Sequence, residues 1–358
     1  MIGGGLHDDV VAPRPPSRHK SRRRQLIVIG LGIAVVAATF VFVLPRIADY
    51  GEVWSVVKKL SWQQIAALVG ATALNLVTFA PPWMVALPGL GFRRAFVLTQ
   101  ASTASTYIAP GGAAVGVGLA YAILRGWGFG GGSVGLATAL TGIWNQLVLL
   151  GFPAVALALL TLEQEQNALL QTVALIGLAV FVVAIVAFTG ALATPKLARF
   201  VGREAARLAN WALGIFRQGP VGWTADSFVR FRNRAVSLLR HRWFVLTLAT
   251  LAGQLSVFAL FFVSLRVLGV SANEVGAVEA FAAWSLTRLL GSLPITPGGL
   301  GVVEVGLTTA LVGFGGANAE VVAAVLVYRF LNIVPTLVLG LIAGATWRRL
   351  TPARPQRA

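Results

Sequence analysis

Long apolar segments alternate with short polar connections along most of this chain of 358 residues. A bilayer core about 30 Å thick requires roughly 20 apolar residues in a helix. Six segments reach that length, and we predict that each of them crosses a membrane once. They are residues 25–44, 63–82, 133–161, 167–190, 243–268 and 319–347.

Two further apolar stretches have the length of a span but are interrupted near their middle by proline and glycine. Residues 95–124 contain the triplet PGG at Pro110, and residues 275–312 contain the same triplet at Pro297. Proline removes a backbone N–H donor, and glycine allows the chain to reverse sharply. Each stretch is therefore predicted to form a helical hairpin.

Basic residues beside the apolar segments orient the chain, because arginine and lysine collect on the cytoplasmic side of a membrane. They cluster in residues 14–24, at Arg93, Arg94 and Arg125, in residues 196–242 and after residue 347. This pattern predicts a protein of the cytoplasmic membrane with both termini in the cytoplasm. Residues 95–124 would then enter and leave on the inner side, and residues 275–312 on the outer side. Both hairpins are predicted to be re-entrant.

Composition supports the membrane class, since 57% of residues are hydrophobic, 11% are charged and the mean hydropathy is +0.79. A soluble domain of this length needs more charged surface. The formal net charge of +17 could suit nucleic acid. The basic residues lie beside apolar spans, however, so we expect no nucleic-acid partner. Cysteine is absent, which excludes disulfides, thiolate chemistry and sulfur-bound zinc.

The predicted organisation is one membrane domain over residues 25–347, between basic cytoplasmic tails at 1–24 and 348–358, the first of them disordered. A basic connection, residues 191–242, joins a first half (25–190) to a second half (243–347). Within it, the stretch KLARFVGREAARLANWALGIF repeats apolar residues at helical spacing and arginines on another face. This pattern is typical of an amphipathic helix on the inner leaflet, and a solvated linker is the alternative.

The two interrupted stretches also resemble each other. One shift lays residues 110–112 onto residues 297–299, both reading PGG, and it also lays Asn145 onto Asn332. Three predicted spans separate the copies, and an odd number inverts the second copy relative to the first. The predicted fold class is thus an all-α polytopic membrane protein with six full spans plus two re-entrant helical hairpins arranged as an inverted repeat.

Interrupted helices at membrane depth point to a binding site. Backbone groups there need partners, so a break is enclosed by protein or lines a wet cavity. A helix N-terminus after each PGG turn would present N–H groups and partial positive charge to an anion. Close packing of small residues is the alternative reading. The candidate residues of the two turns are Pro110, Gly111, Gly112, Pro297, Gly298 and Gly299.

Three ionisable residues accompany the second break: Arg288, Glu304 and Arg329. An ionisable residue at membrane depth marks either a transport pathway or a structural ion pair. We expect Arg288 and Glu304 to face each other across the hairpin. Two arginines against one carboxylate leave a net positive pocket, which favours an anionic headgroup such as phosphate.

These residues resemble a known pattern: Arg288, then PGGLGVVE from Pro297 to Glu304, then Gly313, then Arg329 in the last span. The pattern is similar to that of the flippase-like membrane domain of lysylphosphatidylglycerol synthases and its stand-alone relatives. The resemblance extends from the first span to Trp347 and adds Gly301 to the candidate site. It implies an all-helical translocation domain for lipid headgroups, with phospholipids, hopanoids and polyprenyl-linked glycans among the substrates of relatives.

The sequence differs from the family pattern in two places, and both differences affect the function that we expect. Only the short basic stretch at residues 348–358 follows Trp347. The soluble aminoacyl-transfer domain of the synthases is therefore not expected here, nor is aminoacylation of lipid. The first break lacks the charged residues that many relatives place after it. We therefore expect a lipid translocase for an anionic phospholipid or polyprenyl-linked lipid.

An enzyme is disfavoured by the residues that it would need. Histidine occurs only as His7, His19 and His241, all at or outside span ends, and Glu304 is the single deep carboxylate. Neither a metal site nor paired acid–base chemistry is expected, and no cofactor is implied. Glu304 could still carry a coupled proton. The alternative function is a noncatalytic membrane subunit that organises a lipid-modifying or cell-wall biosynthetic enzyme, which would then be a partner.

Overall fold

The computed structural model describes residues 58–108, 112–162, 168–194, 225–292 and 297–351, together with Ser55, Phe200, Glu204 and Arg207 as isolated positions. The first predicted span, 25–44, lies outside the described residues, as does the tail at 1–24. Most of the predicted amphipathic helix in the basic connection, and the turn residues Pro110 and Gly111, also lie outside them.

Helices and short connections make up the described residues, and no strand occurs among them. The α-helices are α1 Trp62–Thr78, α2 Ala80–Ala86, α3 Phe92–Ile108, α4 Gly112–Gly126, α5 Gly131–Leu162, α6 Ala168–Ala193, α7 Ala225–Val267, α8 Ala277–Gly291, α9 Val302–Gly313 and α10 Asn318–Thr346. Two 3-10 turns, Pro297–Gly299 and Trp347–Leu350, complete them. The predicted all-helical class is confirmed for this part of the chain.

Four stretches of the described chain are long and apolar enough to cross a membrane. They are Trp62–Ala86, Gly131–Leu160, Val229–Val267 and Asn318–Leu350, which correspond to the second, third, fifth and sixth predicted spans. The fourth predicted span is occupied by α6, a single helix of 26 residues whose apolar part, Leu175–Gly190, is shorter. The total of six spans stays a prediction.

Helix α7 extends well upstream of the span predicted at residues 243–268 and occupies the end of the basic connection. Residues 225–242 contain neither proline nor glycine. Their apolar side chains recur at every fourth position, at Phe231, Ala235 and Leu239, and pack with α5. This contact stabilises residues 225–242 of α7, which precede the apolar segment that would lie in the membrane.

Helices α3 and α4 form the first hairpin. A Cβ placed on Gly112 would collide with the main chain of Thr106, and one on Gly116 would lie 2.9 Å from the carbonyl oxygen of Ser102. As the contact positions advance along α4 they recede along α3, so the two helices are antiparallel. Glycine allows this close approach of two backbones.

Helices α8 and α9 form the second hairpin in the same manner. A Cβ on Gly291 would lie 2.7 Å from Val303 Cγ2, and one on Gly306 would lie 2.8 Å from Thr287 Cγ2. Both stretches interrupted by PGG are therefore closely packed helical hairpins.

Each hairpin packs its first helix against the long helix that follows the other hairpin. Helix α3 of the first hairpin lies on α10, and α8 of the second hairpin lies on α5. At the first contact a Cβ on Gly340 would collide with Ala104. At the second, Phe152 of α5 packs on Trp284, with ring centroids 5.2 Å apart. This reciprocal packing connects the two hairpins through the long helices α5 and α10.

Candidate functional site

A buried ion pair lies where the second hairpin meets α10. Arg329 Nε donates to Glu304 Oε1 at 2.7 Å, and each side chain is only 2% exposed. The other carboxylate oxygen, Oε2, accepts from the backbone N–H of Gly301 at 2.7 Å. Arg329 Nη2 also donates to the carbonyl oxygen of Gly298 at 3.1 Å. The pair therefore joins the turn of the hairpin to the long helix behind it.

The turn owes its shape to glycine at three positions. The backbone φ angles of Gly298, Gly299 and Gly301 are 62°, 68° and 83°, in the left-handed region that strains other residues. The chain reverses through Pro297–Gly299 and starts α9 at Val302. Glu304 then lies in the first turn of α9, where a carboxylate satisfies a free N–H group at the helix N-terminus.

Tyr107, near the end of α3, joins the first hairpin to the turn of the second. A Cβ on Gly298 would collide with the Tyr107 ring, so the ring lies directly on the second turn. Tyr107 also packs with Leu300 and Ile333 in a small buried cluster. The prediction that the two breaks converge is consistent with this contact, although Pro110 and Gly111 lie outside the described residues. Gly112 begins α4 and allows α4 to pack closely against α3.

Arg288 lies in the last turn of α8 and is half-buried. Glu304 pairs with Arg329, and no ion pair joins Arg288 to a carboxylate within the described ranges. Thr287 and Gly291 form the face of α8 that packs on α9. Arg288 therefore lies on a neighbouring face of α8. We expected Arg288 to face Glu304 across the hairpin, but the two side chains form no ion pair.

Trp284 lies one helical turn before Arg288 and shares its face of α8. The indole Nε1 of Trp284 and the Nε of Arg288 are both buried, and neither has a hydrogen-bond partner among the described residues. Tyr328 of α10 lies within electrostatic range of both arginines. Its hydroxyl lies beside the Trp284 indole.

Sequence reasoning missed the three aromatic residues of this site. Tyr328 directly precedes Arg329, Trp284 precedes Arg288 by four residues, and Tyr107 precedes a PGG turn by three. The spacing from Trp284 to Arg288 is the available signal, because residues four apart share one face of a helix. An aromatic residue in an apolar helix cannot otherwise be told apart from a core residue by its sequence.

The charges of the site sum to one uncompensated cation. Glu304 neutralises Arg329, whereas Arg288 has no carboxylate partner in the described part of the chain. Burying an unpaired charge is costly, so an anionic group beside Arg288 would be stabilised. The arrangement is therefore suited to hold an anion at Arg288, next to a neutral ion pair that shapes the turn.

Sequence comparison places these residues within a family. The profile described as "Lysylphosphatidylglycerol synthase TM region" matches residues 27–340. The chain belongs to this family. The match spans both hairpins and every candidate residue from Pro110 to Arg329, which confirms the resemblance seen in the sequence. Family membership and the apolar helices indicate a multi-pass membrane protein involved in lipid handling. No curated protein matches the sequence.

Proposed function

We propose that this protein is a lipid translocase that moves an anionic lipid headgroup between the two leaflets. The observation that carries the proposal is the unpaired Arg288 beside the buried pair of Glu304 and Arg329, where two helical hairpins meet. A half-buried cation without a carboxylate partner, in a family domain that handles lipid, is suited to a phosphate headgroup. The acyl chains would stay in the surrounding lipid while the headgroup crosses.

An inverted repeat of two re-entrant hairpins is the architecture that we propose for this movement. Two observations support it. The hairpins have the same antiparallel, glycine-packed construction, and each lies on the long helix that follows the other one. In transporters with such repeats, one half rocks against the other around a fixed central site. With both termini in the cytoplasm, the first hairpin would enter from the inside and the second from the outside.

The ion pair acts in this proposal by positioning the second turn rather than by binding lipid. Arg329 already donates to Glu304 and to the Gly298 carbonyl, and it is 2% exposed. Leaving one member of a buried pair without its partner costs about 3–5 kcal/mol, so the pair and the turn would move together. Arg288 then binds the phosphate, and the contact of Tyr107 with Gly298 opens and closes the route. No bond is made or broken in the lipid, so the protein acts without enzymatic chemistry.

Reconstitution of the full chain into vesicles tests this function. Phosphatidylglycerol with a fluorescent headgroup is placed in both leaflets, and a membrane-impermeant quencher reports its movement to the outer leaflet. We expect faster exchange than in protein-free vesicles, with the acceleration lost in Arg288→Gln. Arg240→Gln, which alters an exposed arginine of α7, is the matched control and should retain it.

Two results would contradict the translocase. One is exchange no faster than in protein-free vesicles for a panel of anionic lipids that includes polyprenyl phosphates. The other is equal exchange by Arg288→Gln and the unaltered protein. Either result would favour the noncatalytic subunit, for which copurification with a lipid-modifying enzyme is the next measurement.

A further inference from the structure

The two hairpins differ at one pair of equivalent positions. The shift that aligns the two PGG triplets also lays Val117 of α4 onto Glu304 of α9. It lays Gly142 of α5 onto Arg329 of α10. Each pair therefore joins the second helix of a hairpin to the long helix that follows it, but only the second pair is charged.

The second pair closes its interface, whereas the first interface is open. Glu304 and Arg329 are each 2% exposed and are hydrogen-bonded to each other. Val117 is 54% exposed, and Gly142 is exposed, with nothing within 4 Å of a Cβ placed on it. The same holds for Gly135, two turns before Gly142 on one face of α5. An open cleft thus occupies the place that the ion pair fills in the second half.

Helices α4 and α5 meet only near the loop that joins them. A Cβ on Gly131, the first residue of α5, would lie 3.1 Å from the Tyr121 hydroxyl oxygen. Val117 lies one turn before Tyr121 on α4, and Gly135 lies one turn after Gly131 on α5. Both of these positions are uncovered. The cleft is therefore narrow at the loop and opens towards the tip of the first hairpin.

The upper end of the cleft is polar. Asn145 and Gln146 lie one turn beyond Gly142 on α5. Gln254 of α7, which is 1% exposed, donates to Asn145, and Asn145 donates to the exposed Gln146. These amides lie near the middle of Gly131–Leu160, which is long enough to cross a membrane. Hydrocarbon offers no hydrogen bonds to an exposed amide, so this cleft is suited to hold water rather than lipid chains.

The residues of the two interfaces also set different costs for opening. Separating Glu304 from Arg329 would leave two buried charges unpaired, which is strongly unfavourable. Val117 and Gly142 have neither a charge nor a side-chain hydrogen bond with which to hold their helices together. The first interface can therefore open and close at a much lower cost than the second.

We propose that the first hairpin is a gate, which closes when α4 approaches α5 at Val117 and Gly142, and that the structure shows this gate open. The second hairpin lacks this freedom, because its ion pair keeps α9 on α10. The open gate would connect the cleft to the water beside the loop between α4 and α5. Its role in transport rests on the proposed translocase function, but its existence does not.

Cysteine reactivity tests the open cleft without any transport step. Gly135→Cys places a thiol in the cleft, and Val183→Cys places one on α6, at an apolar side chain that is 67% exposed. The full chain is reconstituted into vesicles, and a membrane-impermeant maleimide is supplied to both faces. We expect Gly135→Cys to react at least about tenfold faster, because a thiol in apolar surroundings forms little of the reactive thiolate. Equal rates would overturn the wet cleft and, with it, the gate.

An ion pair copied from the second half tests closure. Val117→Glu with Gly142→Arg recreates the pair of Glu304 and Arg329 at the equivalent positions, in the Gly135→Cys background. We expect the labelling rate to fall about tenfold, as a shift to a mostly closed gate requires, and lipid exchange to stop. Val117→Gln with Gly142→Gln is the matched control, since it adds side chains without charge, and should label as fast as Gly135→Cys alone. Equal labelling in the charged variant and in this control would overturn the gate.

A reversible cross-link keeps the test decisive if the charged variant folds poorly. Val117→Cys with Gly142→Cys is joined by a short bis-methanethiosulfonate linker, which a reductant releases. We expect joining to stop lipid exchange and release to restore it; exchange at the unaltered rate in the linked protein would overturn the gate.

The outcomes separate the gate from the translocase. Reduced labelling in the charged variant, with no lipid exchange by the unaltered protein, would refute the translocase and leave the gate standing. Lipid exchange by the unaltered protein, with full labelling in the charged variant, would refute the gate alone.

Discussion

Arg329 Nε lies 2.7 Å from Glu304 Oε1, and both side chains are 2% exposed. The same carboxylate caps the N-terminus of α9 through Gly301, and the same guanidinium holds the Gly298 carbonyl. The pair thus connects the second hairpin turn to α10 through four groups. Its loss affects the turn as well as the charge balance.

Glu304→Gln leaves Arg329 buried without its counterion. We expect a loss of about 3–5 kcal/mol in the free energy of unfolding, because removal of one partner from a buried pair leaves an uncompensated charge. Thermal unfolding in detergent would show it as a lower Tm. The matched control is Glu204→Gln, which breaks an exposed pair with Arg207, whose side chain is 74% exposed. That pair is screened by solvent and its loss should change the Tm little.

The double variant Glu304→Gln with Arg329→Gln distinguishes the cost of an unpaired charge from the loss of side-chain packing. Since it leaves no unpaired charge, it should be more stable than either single variant. A double variant whose Tm falls by the sum of the two single losses would show that the ion pair itself contributes no coupling.

Gly298→Ala changes the turn where the two hairpins meet. The residue has a φ of 62°, and a Cβ there would collide with the Tyr107 ring. We expect lower stability and slower lipid exchange. Gly118→Ala in α4 is the control, because a Cβ there meets nothing within 4 Å. That change should leave the Tm unchanged or raise it, since alanine favours helix by about 0.5–1 kcal/mol. Equal effects of the two substitutions would show that the Tyr107 contact does not matter.

Gly340→Ala tests the contact between α3 and α10. A Cβ on Gly340 would collide with Ala104 and would lie 2.5 Å from the Gln100 carbonyl oxygen. The two helices would have to separate, so we expect a lower Tm. Gly344→Ala lies one turn further along α10, and a Cβ there meets nothing within 4 Å. Its Tm should match that of the unaltered protein; a fall as large as that of Gly340→Ala would contradict the packing argument.

Cysteine labelling tests whether the hairpins are re-entrant, and it is simple because the chain has no cysteine. Gly91→Cys and Gly130→Cys flank the first hairpin, and Asn273→Cys and Asn318→Cys flank the second; all four positions are exposed. We expect a membrane-impermeant maleimide to label the first two only from the inside and the last two only from the outside. Opposite accessibility of the two ends of one hairpin would show that it crosses the membrane completely.

The local features of the fold could be predicted from the sequence because they depend on neighbouring residues. The helices at residues 133–161 and 319–347 follow from unbroken apolar runs, and the turn at Pro297–Gly299 follows from the backbone requirements of proline and glycine. The depth of Arg329 also follows from its place in a span. The family could be recognised from the PGGLGVVE stretch because that stretch holds the turn and the cap of α9 together.

Pairings between distant helices could not be predicted in the same way. The sequence places Arg288 and Glu304 at similar distances from the turn, but whether they meet depends on how α8 rotates about its axis. Thr287 packs on Gly306 and so turns Arg288 away from α9. Tyr107 is likewise joined to Gly298 only by the tertiary fold. An apolar sequence carries little information on such rotation, because every face of the helix is hydrophobic.

The reciprocal packing of the hairpins also constrains biogenesis. Helix α3 lies on α10, which is synthesised only after helices α4 to α9. Until then the face of α3 that holds Gln100 and Ala104 would be exposed to lipid or to an insertion chaperone. We expect a nascent chain released before α10 to be a substrate for quality-control proteases, however completely its first half has been inserted.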